Sequence, residues 1–588
     1  MKKWQAYLLV ALLVAGIYGR TVTFGYIELD DTLLIVDGQS FLQDLSNVPA
    51  AFRTDVFDVR LHSSSAMYYR PLLVVTLMLD AQLGGTSPVV YHVTNILLHV
   101  LACWAILTLL TALGHGLEWS LFATLVFAAH PALVQAVAWI PGRNDSLLAL
   151  FVVLSFLLLM RFLDDEPGTG RIPEGRGDCD SAASEEQPEK PGGKPPPHDF
   201  AGASRRAAPR RLSWTSYAGH LGLFLLALFT KETAVFFLLV AAFYLLFVRR
   251  RSWNGREALA LTVGWIIVCV VWVLARHAAL ADRQADVALS SLGDNAITNF
   301  PIFIAYIGKA LLPLELSVWH SPADTSLVYG LVSLVALGGL VFISKEARRS
   351  YVALGSLWFA VFLLPSLVVP ILTGMEHRLY LPLVGLMVVF FETDLLRQVD
   401  LRKRANAAVA TLLVLGLAAF SFQRSGSFAD KQAFWESAIR TSPSSALAHL
   451  NLGATYIDQD RLVEAEREFI RTLELNPVER MAHNNLGIVY ARSGLLEEAG
   501  AELARELELY PTYADGYFNL GTLKMQMGEE EEAIRLWERV LELNPQNVNA
   551  YASLARYFLS RNEPARAAPY IERLQEMGVD VSSLLVLQ

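Results

Sequence analysis

The hydrophobic pattern divides the chain near residue 427. Before that point apolar runs recur at lengths close to the ~20 residues a helix needs to cross a bilayer. Beyond it, apolar positions recur every three to four residues among charged ones, the period of amphipathic helices. Runs at approximately 4–20, 90–113, 119–139, 145–162, 213–229, 233–248, 257–275, 326–344, 351–370, 379–397 and 405–421 predict eleven transmembrane helices. A further run, Phe300 to Leu316, reads as a re-entrant or interfacial helix, because a full crossing there would place Lys345, Arg348 and Arg349 outside. The first run starts after Lys2-Lys3 and lacks a small-residue cleavage site, so it predicts an anchor with its N-terminus inside.

Basic residues set the expected topology. Placing Arg205-Arg206, Arg210-Arg211, Arg249-Arg250-Arg251, Lys345 with Arg348-Arg349, and Arg402-Lys403-Arg404 in the cytoplasm satisfies the positive-inside rule for the eleven spans and leaves the C-terminus outside. Residues 21–70 then form a first external loop with short amphipathic stretches such as Val48 to Phe57. Residues 164–212, rich in Pro, Gly, Glu, Ser and Arg, hold too little apolar surface to fold and predict a disordered cytoplasmic loop.

The C-terminal part, 428–588, repeats with a period of 34: Asn451-Leu452-Gly453, Asn485-Leu486-Gly487 and Asn519-Leu520-Gly521 keep that spacing, as do Pro443, Pro477, Pro511 and Pro545. This is the tetratricopeptide pattern. Ala465, Ala499, Ala533 and Ala567 supply the small residue where paired helices approach, and each proline ends a second helix. The expected repeats are 446–479, 480–513, 514–547 and 548–581, the last degenerate at Ala555, with a half-repeat before Pro443. Asn451, Asn485 and Asn519 share one position on the first helix of each repeat, facing the concave groove. A ladder of amides there would bind the backbone of an extended acceptor peptide, since each offers a donor and an acceptor; the plainer reading is asparagine on a solvated face.

Charge is uneven. The net −9 comes from 428–588, with 25 Asp/Glu against 15 Lys/Arg, which argues against a nucleic-acid partner. Cys103 and Cys269 lie in apolar runs and Cys179 in the polar linker, so neither a disulfide framework nor a zinc site is expected, and no metal ligands are assigned.

Polar clusters in and beside the spans are costly and usually face a cavity or a partner. They are Asp30-Asp31, Tyr69-Arg70, Tyr91-His92 with Asn95 and His99, His130-Pro131, Arg143-Asn144-Asp145, Lys231-Glu232, Arg276-His277 and Glu376-His377-Arg378. On the expected topology nearly all fall at the outer side, which predicts a cavity open to the outside. Transfer from a lipid-phosphate donor needs this combination. A carboxylate takes the proton of an acceptor hydroxyl, and cations at the bilayer edge stabilise the departing phosphate.

Leu29-Asp30-Asp31, Tyr68-Tyr69-Arg70-Pro71-Leu72, Tyr91-His92 through His99, Ala129-His130-Pro131 leading to Ala138-Trp139-Ile140-Pro141-Gly142-Arg143, Thr230-Lys231-Glu232-Thr233 and Glu376-His377-Arg378-Leu379-Tyr380 occur in this order. With the repeats, they resemble the transmembrane and tetratricopeptide repeat-containing O-mannosyltransferases of the GT-C fold. The resemblance implies an all-α protein, with a GT-C-type membrane domain over 1–427 followed by a tetratricopeptide solenoid. It also implies inverting transfer of mannose from a dolichyl- or polyprenyl-phosphate donor to protein Ser or Thr. The sequence itself requires no cofactor and does not decide whether a divalent metal takes part. Asp30 would be the base and Asp31 its acidic neighbour, and Arg70, His92, His130, Arg143, Lys231, His377 and Arg378 would serve donor binding or structure. The array is short and 164–212 long for this family, and an Ala/Arg-rich composition leans toward a bacterial inner-membrane member with an undecaprenyl-type donor. The rival readings are a non-catalytic anchored scaffold for envelope assembly, a transporter of a lipid-linked sugar, and a related enzyme acting on a lipid or glycan acceptor.

Overall fold

The computed structural model describes residues 1–57, 68–164, 213–249, 255–281, 291–368 and 375–582. The regular elements of the described residues are helices, with no strand among them. The expected loop at 164–212 falls outside these residues except for Asp164, the last residue of the Arg143–Asp164 helix. Each of the eleven expected spans contains helix among the described residues, and fewer than eleven are long enough to cross. Among the described residues six helices are long and apolar enough to cross a membrane: Lys3–Thr23, Pro88–Ala112, Ile140–Leu163, Gly255–Ala279, Arg349–Val368 and Arg404–Phe428. Ile266, Ile267, Leu274 and Leu412 stand exposed on them, as lipid-facing side chains do. The chain is a multi-pass membrane protein. The other expected spans are shorter, such as Trp214–Thr230 (17 residues), Val328–Ile343 (16) and Tyr380–Phe391 (12). The expected re-entrant run, Phe300 to Leu316, is helical as far as Leu311, in a helix that starts at Ser291 and whose Lys309 is buried.

The expected span 119–139 is broken. Leu117–Ala128 and Pro131–Ala138 meet at 53°, because Pro131 has no N–H to continue the ladder. In lipid the carbonyls freed by such a break need donors from the protein itself. Ser421 Oγ donates to Ala129 O (2.7 Å), and His130 caps the new turn. Its Nδ1 accepts from Ala132 N (3.3 Å), which leaves Nε2 to donate to Ala310 O (3.1 Å). Asn95 Nδ2 lies within 3.1–3.2 Å of the carbonyls of Val137, Trp139 and Ile140.

One helix is absent from the sequence reading. Pro71–Gly84, 14 residues, spans only ~21 Å at 1.5 Å per residue and does not cross alone. It seats the first loop. Leu34, Ile35, Leu42, Ala51 and Val56 of that loop pack with Leu73, Val74, Leu77 and Met78, so its described part before residue 58 is a small folded layer.

The helices Arg349–Val368 and Tyr380–Phe391 cross at glycines. A Cβ at Gly385 would lie 2.5 Å from Gly355 O, and one at Gly355 would lie 2.4 Å from Gly385 O, so the helices touch backbone to backbone. Gly385→Val is expected to lower stability by about 1–3 kcal/mol through overpacking, read as earlier thermal unfolding in detergent. An unshifted melt would show that the helices separate freely.

The C-terminal helices pair as Ala446–Asp458 with Leu462–Leu475, Ala482–Arg492 with Leu496–Leu509, Ala514–Gln526 with Glu530–Leu543, and Val548–Ser560 with Pro564–Glu576. Lys431–Thr441 precedes them as the half-repeat. A Cβ on Gly453, Gly487 or Gly521 would meet Phe469, Leu503 or Trp537 at 2.7–2.8 Å, which is why these positions stay small. Ala465, Ala499, Ala533 and Ala567 are fully buried opposite them.

The array is fastened to the membrane part. Ser317 Oγ meets Thr441 Oγ1 (2.7 Å) and Ser442 Oγ (3.2 Å), and Asp324 Oδ2 accepts from Ser444 Oγ (2.6 Å) and Ser444 N (3.0 Å). The Trp319 and Trp435 rings lie 5.7 Å apart. On the other flank Lys431 pairs with Glu28 (2.6 Å), and Gly25 N donates to Ala429 O (2.8 Å).

Candidate active site

A cavity of about 440 Å³ opens where the first loop, the 139–148 segment, the Lys231 turn and the Met375–Pro382 segment converge. Its lining includes five of the expected site residues: Asp30, Arg70, Lys231, His377 and Arg378. Each stands at a helix boundary. Arg70 precedes Pro71 at the start of its helix, Lys231 ends Trp214–Thr230, and His377-Arg378 form one turn before Tyr380.

Most of the charge here is paired. Lys231 Nζ lies 2.7 Å from Asp145 Oδ1, and Arg70 Nη2 lies 3.3 Å from Glu232 Oε1. Arg70 also stacks over the Tyr68 ring at 4.5 Å, and His377 Nε2 sits 3.9 Å from Asp145 Oδ2. Among the described residues Asp30 and Arg378 have no ion-pair partner. Burial pushes the Asp30 carboxyl up to about 6, against the pull of Arg70 and with a push from Asp31. A carboxylate tuned to that range is ionised at neutral pH and is still basic enough to take a proton.

The acidic pair therefore separates into two roles. Asp31 does not line the cavity. Its buried carboxylate accepts from Ile27 N (2.8 Å) and Leu29 N (3.0 Å), closing the turn in which Glu28 adopts φ 57°. Asp31 holds the turn and Asp30 projects from it.

Three other expected donor ligands also lie away from the cavity lining. Arg143 is fully buried, with Nη1 on Asp80 Oδ2 (2.5 Å), Nε on Asn95 Oδ1 (2.8 Å) and Nη2 on Tyr91 O (2.8 Å). His130 caps the helix break described above. His92 is buried edge-on to Phe24, with ring centroids 6.2 Å apart. Residues left unassigned in the sequence do line the cavity: Asp145, Glu232, Trp139, Asn144 and Trp319. The signal for the first two was present, since each carboxylate belongs to a cluster with a cation, Arg143-Asn144-Asp145 and Lys231-Glu232.

Glu376, beside His377, anchors this wall from behind. It is buried, pairs with Lys309 (2.8 Å) and Arg424 (2.6 Å), and accepts from Ser317 N (2.6 Å). Among the described residues no three metal-ligating side chains converge.

In the repeats, Asn451 Nδ2 donates to Leu447 O of its own helix (2.7 Å). Asn485 is buried, and Asn484 bridges it to Asn519 at 3.1 and 2.8 Å, linking two repeats. Asn451 and Asn519 are the half-buried members of the expected ladder.

The tetratricopeptide repeat family matches residues 455–514 and 514–547. The C-terminal array is a tetratricopeptide domain. Among curated proteins, Protein O-mannosyl-transferase TMTC4 of Mus musculus is 36% identical over 148 residues, covering 23% of this chain and 20% of the relative. Protein O-mannosyl-transferase tmtc2 of Xenopus laevis is 40% identical over 100 residues, covering 17% and 12%. The chain is similar to the protein O-mannosyl-transferases. The match spans about a fifth or less of the length of these relatives. Among solved structures, the crystal structure of MamA is similar at 24% identity, covering 25% of this chain and 85% of that one, with a TM-score of 0.23.

Proposed function

We propose that the chain is a membrane glycosyltransferase. It moves a hexosyl group, mannose or a close relative, from a polyprenyl-phosphate donor to a Ser or Thr hydroxyl of a protein on the extracytoplasmic side, and the tetratricopeptide domain presents the acceptor. The observation that carries this reading is a single cavity holding an unpaired carboxylate, Asp30, and an unpaired cation, Arg378, among the described residues, beside the point where the repeat domain docks.

The geometry divides the work. Asp30 takes the acceptor proton as the hydroxyl oxygen bonds to C1 of the sugar. The bond from C1 to the phosphate oxygen breaks with its electron pair, and the charge that develops on the phosphate is met by Arg378, with Lys231 and Arg70 nearby. One displacement inverts the anomeric centre. The Lys231–Asp145 and Arg70–Glu232 pairs hold these cations in place before the donor arrives, so little reorganisation is left for the reaction. A scaffold or a transporter would not need a tuned carboxylate and cations lining one cavity.

The direct test incubates membranes holding the full chain with labelled polyprenyl-phosphate hexoses and Ser/Thr-containing acceptor polypeptides. Base-labile label on protein supports the reading. Label on lipid or glycan alone would move the acceptor class, and no transfer from any such donor would overturn it. The groove has its own expected result. Asn451→Ala with Asn519→Ala raises the acceptor KM severalfold and leaves the donor KM unchanged. Equal changes in both would assign these amides to folding of the array.

A further inference from the structure

Four polar atoms on residues that line the cavity are buried and have no hydrogen-bond partner among the described residues: Arg70 Nε, Trp139 Nε1, Asn144 Oδ1 and His377 Nδ1. Buried polar groups are almost always satisfied, so a cluster of exceptions on one cavity needs an occupant to explain it. Their chemistry limits what that occupant is. A phosphate offers acceptors only and can satisfy an N–H donor, but it cannot donate to the oxygen of Asn144. Sugar hydroxyls do both, accepting from the Trp139 indole N–H and donating to the Asn144 carbonyl oxygen.

Asn144 is 3% exposed and Trp139 8%, so both are nearly withdrawn from solvent on the cavity wall. A sugar ring held against them meets polar groups shielded from competing water. The Trp139 and His377 rings lie 5.7 Å apart, so an aromatic and an imidazole surface stand side by side there. Asp145 Oδ2, 3.9 Å from His377 Nε2, favours a proton on that nitrogen and leaves Nδ1 as an acceptor.

The backbone that carries the pair is fixed from behind. Asn95 holds the carbonyls of Trp139 and Ile140, and Arg143 holds Asn95 in turn. The segment Trp139–Asn144 is thus presented to the cavity by a network that never enters it.

We propose that Trp139, Asn144 and His377 form the hydroxyl-recognising subsite for the hexosyl ring of the donor, separate from the phosphate-binding residues Arg378, Lys231 and Arg70. This rests on the function proposed above and adds which residues select the sugar.

The test uses the full-length chain in nanodiscs and two probes, farnesyl phosphate and mannosyl farnesyl phosphate, with affinities read by calorimetry. The native chain binds the mannosyl probe more tightly than the bare phosphate. Asn144→Ala, and Trp139→Phe, which keeps a ring but loses the N–H, each weaken the mannosyl probe about tenfold and change farnesyl phosphate less than twofold. Unchanged farnesyl phosphate binding also serves as the folding control. Variants that still bind the mannosyl probe like the native chain would overturn the subsite and leave the transferase reading standing. Equal weakening of both probes would also overturn it, as a structural role. A native chain that binds neither probe would overturn the function on which the proposal rests.

Discussion

Asp30→Asn lowers transfer to a hydroxyl acceptor by roughly 10²–10⁴-fold, the range associated with a positioned general base. The amide keeps the shape of the side chain and cannot take the proton. Donor affinity stays near native, because the cations that meet the phosphate are untouched. The native enzyme carries a matching pH signature. Asp30 must be ionised to act, and its carboxyl is pushed up to about 6 by burial, so kcat/KM rises with pH through about 6 and levels off toward neutrality. Below that point the ionised fraction falls tenfold per pH unit. Asp31→Asn behaves differently. It weakens a carboxylate that accepts two backbone N–H groups, so the folded first loop loosens, and activity falls with thermal stability. Full activity in Asp30→Asn, measured on folded protein, would remove Asp30 from the chemistry.

Arg143→Met has the other large effect, and it concerns folding. Removing this side chain leaves Asp80 buried and unpaired and takes the donors from Asn95 Oδ1 and Tyr91 O. Breaking a buried pair from one side costs about 3–5 kcal/mol, enough to deplete folded protein in membranes. Arg143→Met combined with Asp80→Leu recovers part of the loss, since no lone charge remains. If Arg143→Met kept its melting temperature and lost donor binding, the arginine would be a phosphate ligand, as its neighbourhood in the sequence implies.

What the sequence made legible follows from physical cause. The repeats were readable because close helix approach fixes Gly453, Gly487, Gly521 and the buried alanines at one period. Six of the expected spans were readable because hydrocarbon demands long apolar runs, and the shorter or broken helices do not reach that length. Asp30, Arg70, Lys231, His377 and Arg378 were identifiable as a group and do share a cavity. His130 and Arg143 lie off the cavity lining, and their sequence did not show it, because a polar side chain in lipid looks the same in sequence whether it faces a ligand or replaces water for a broken backbone. For Arg143 the missing information was its counter-charge. Asp80 lies on Pro71–Gly84, a helix too short to register as a span. The division between Asp30 and Asp31 rests on a local turn with one left-handed residue, which adjacency in the sequence does not encode.

The fastening of the repeat domain by Ser317, Asp324, Trp319 and Lys431 has a consequence for acceptor choice. A groove on a slack tether would offer every hydroxyl within reach of the tether. A groove bolted beside the cavity, in the proposed reaction, works as a ruler. An extended polypeptide advances about 3.3–3.6 Å per residue, so a fixed gap between groove and base becomes a fixed count of residues between the gripped segment and the modified hydroxyl. Neighbouring serines and threonines at other counts go untouched, whatever their local sequence.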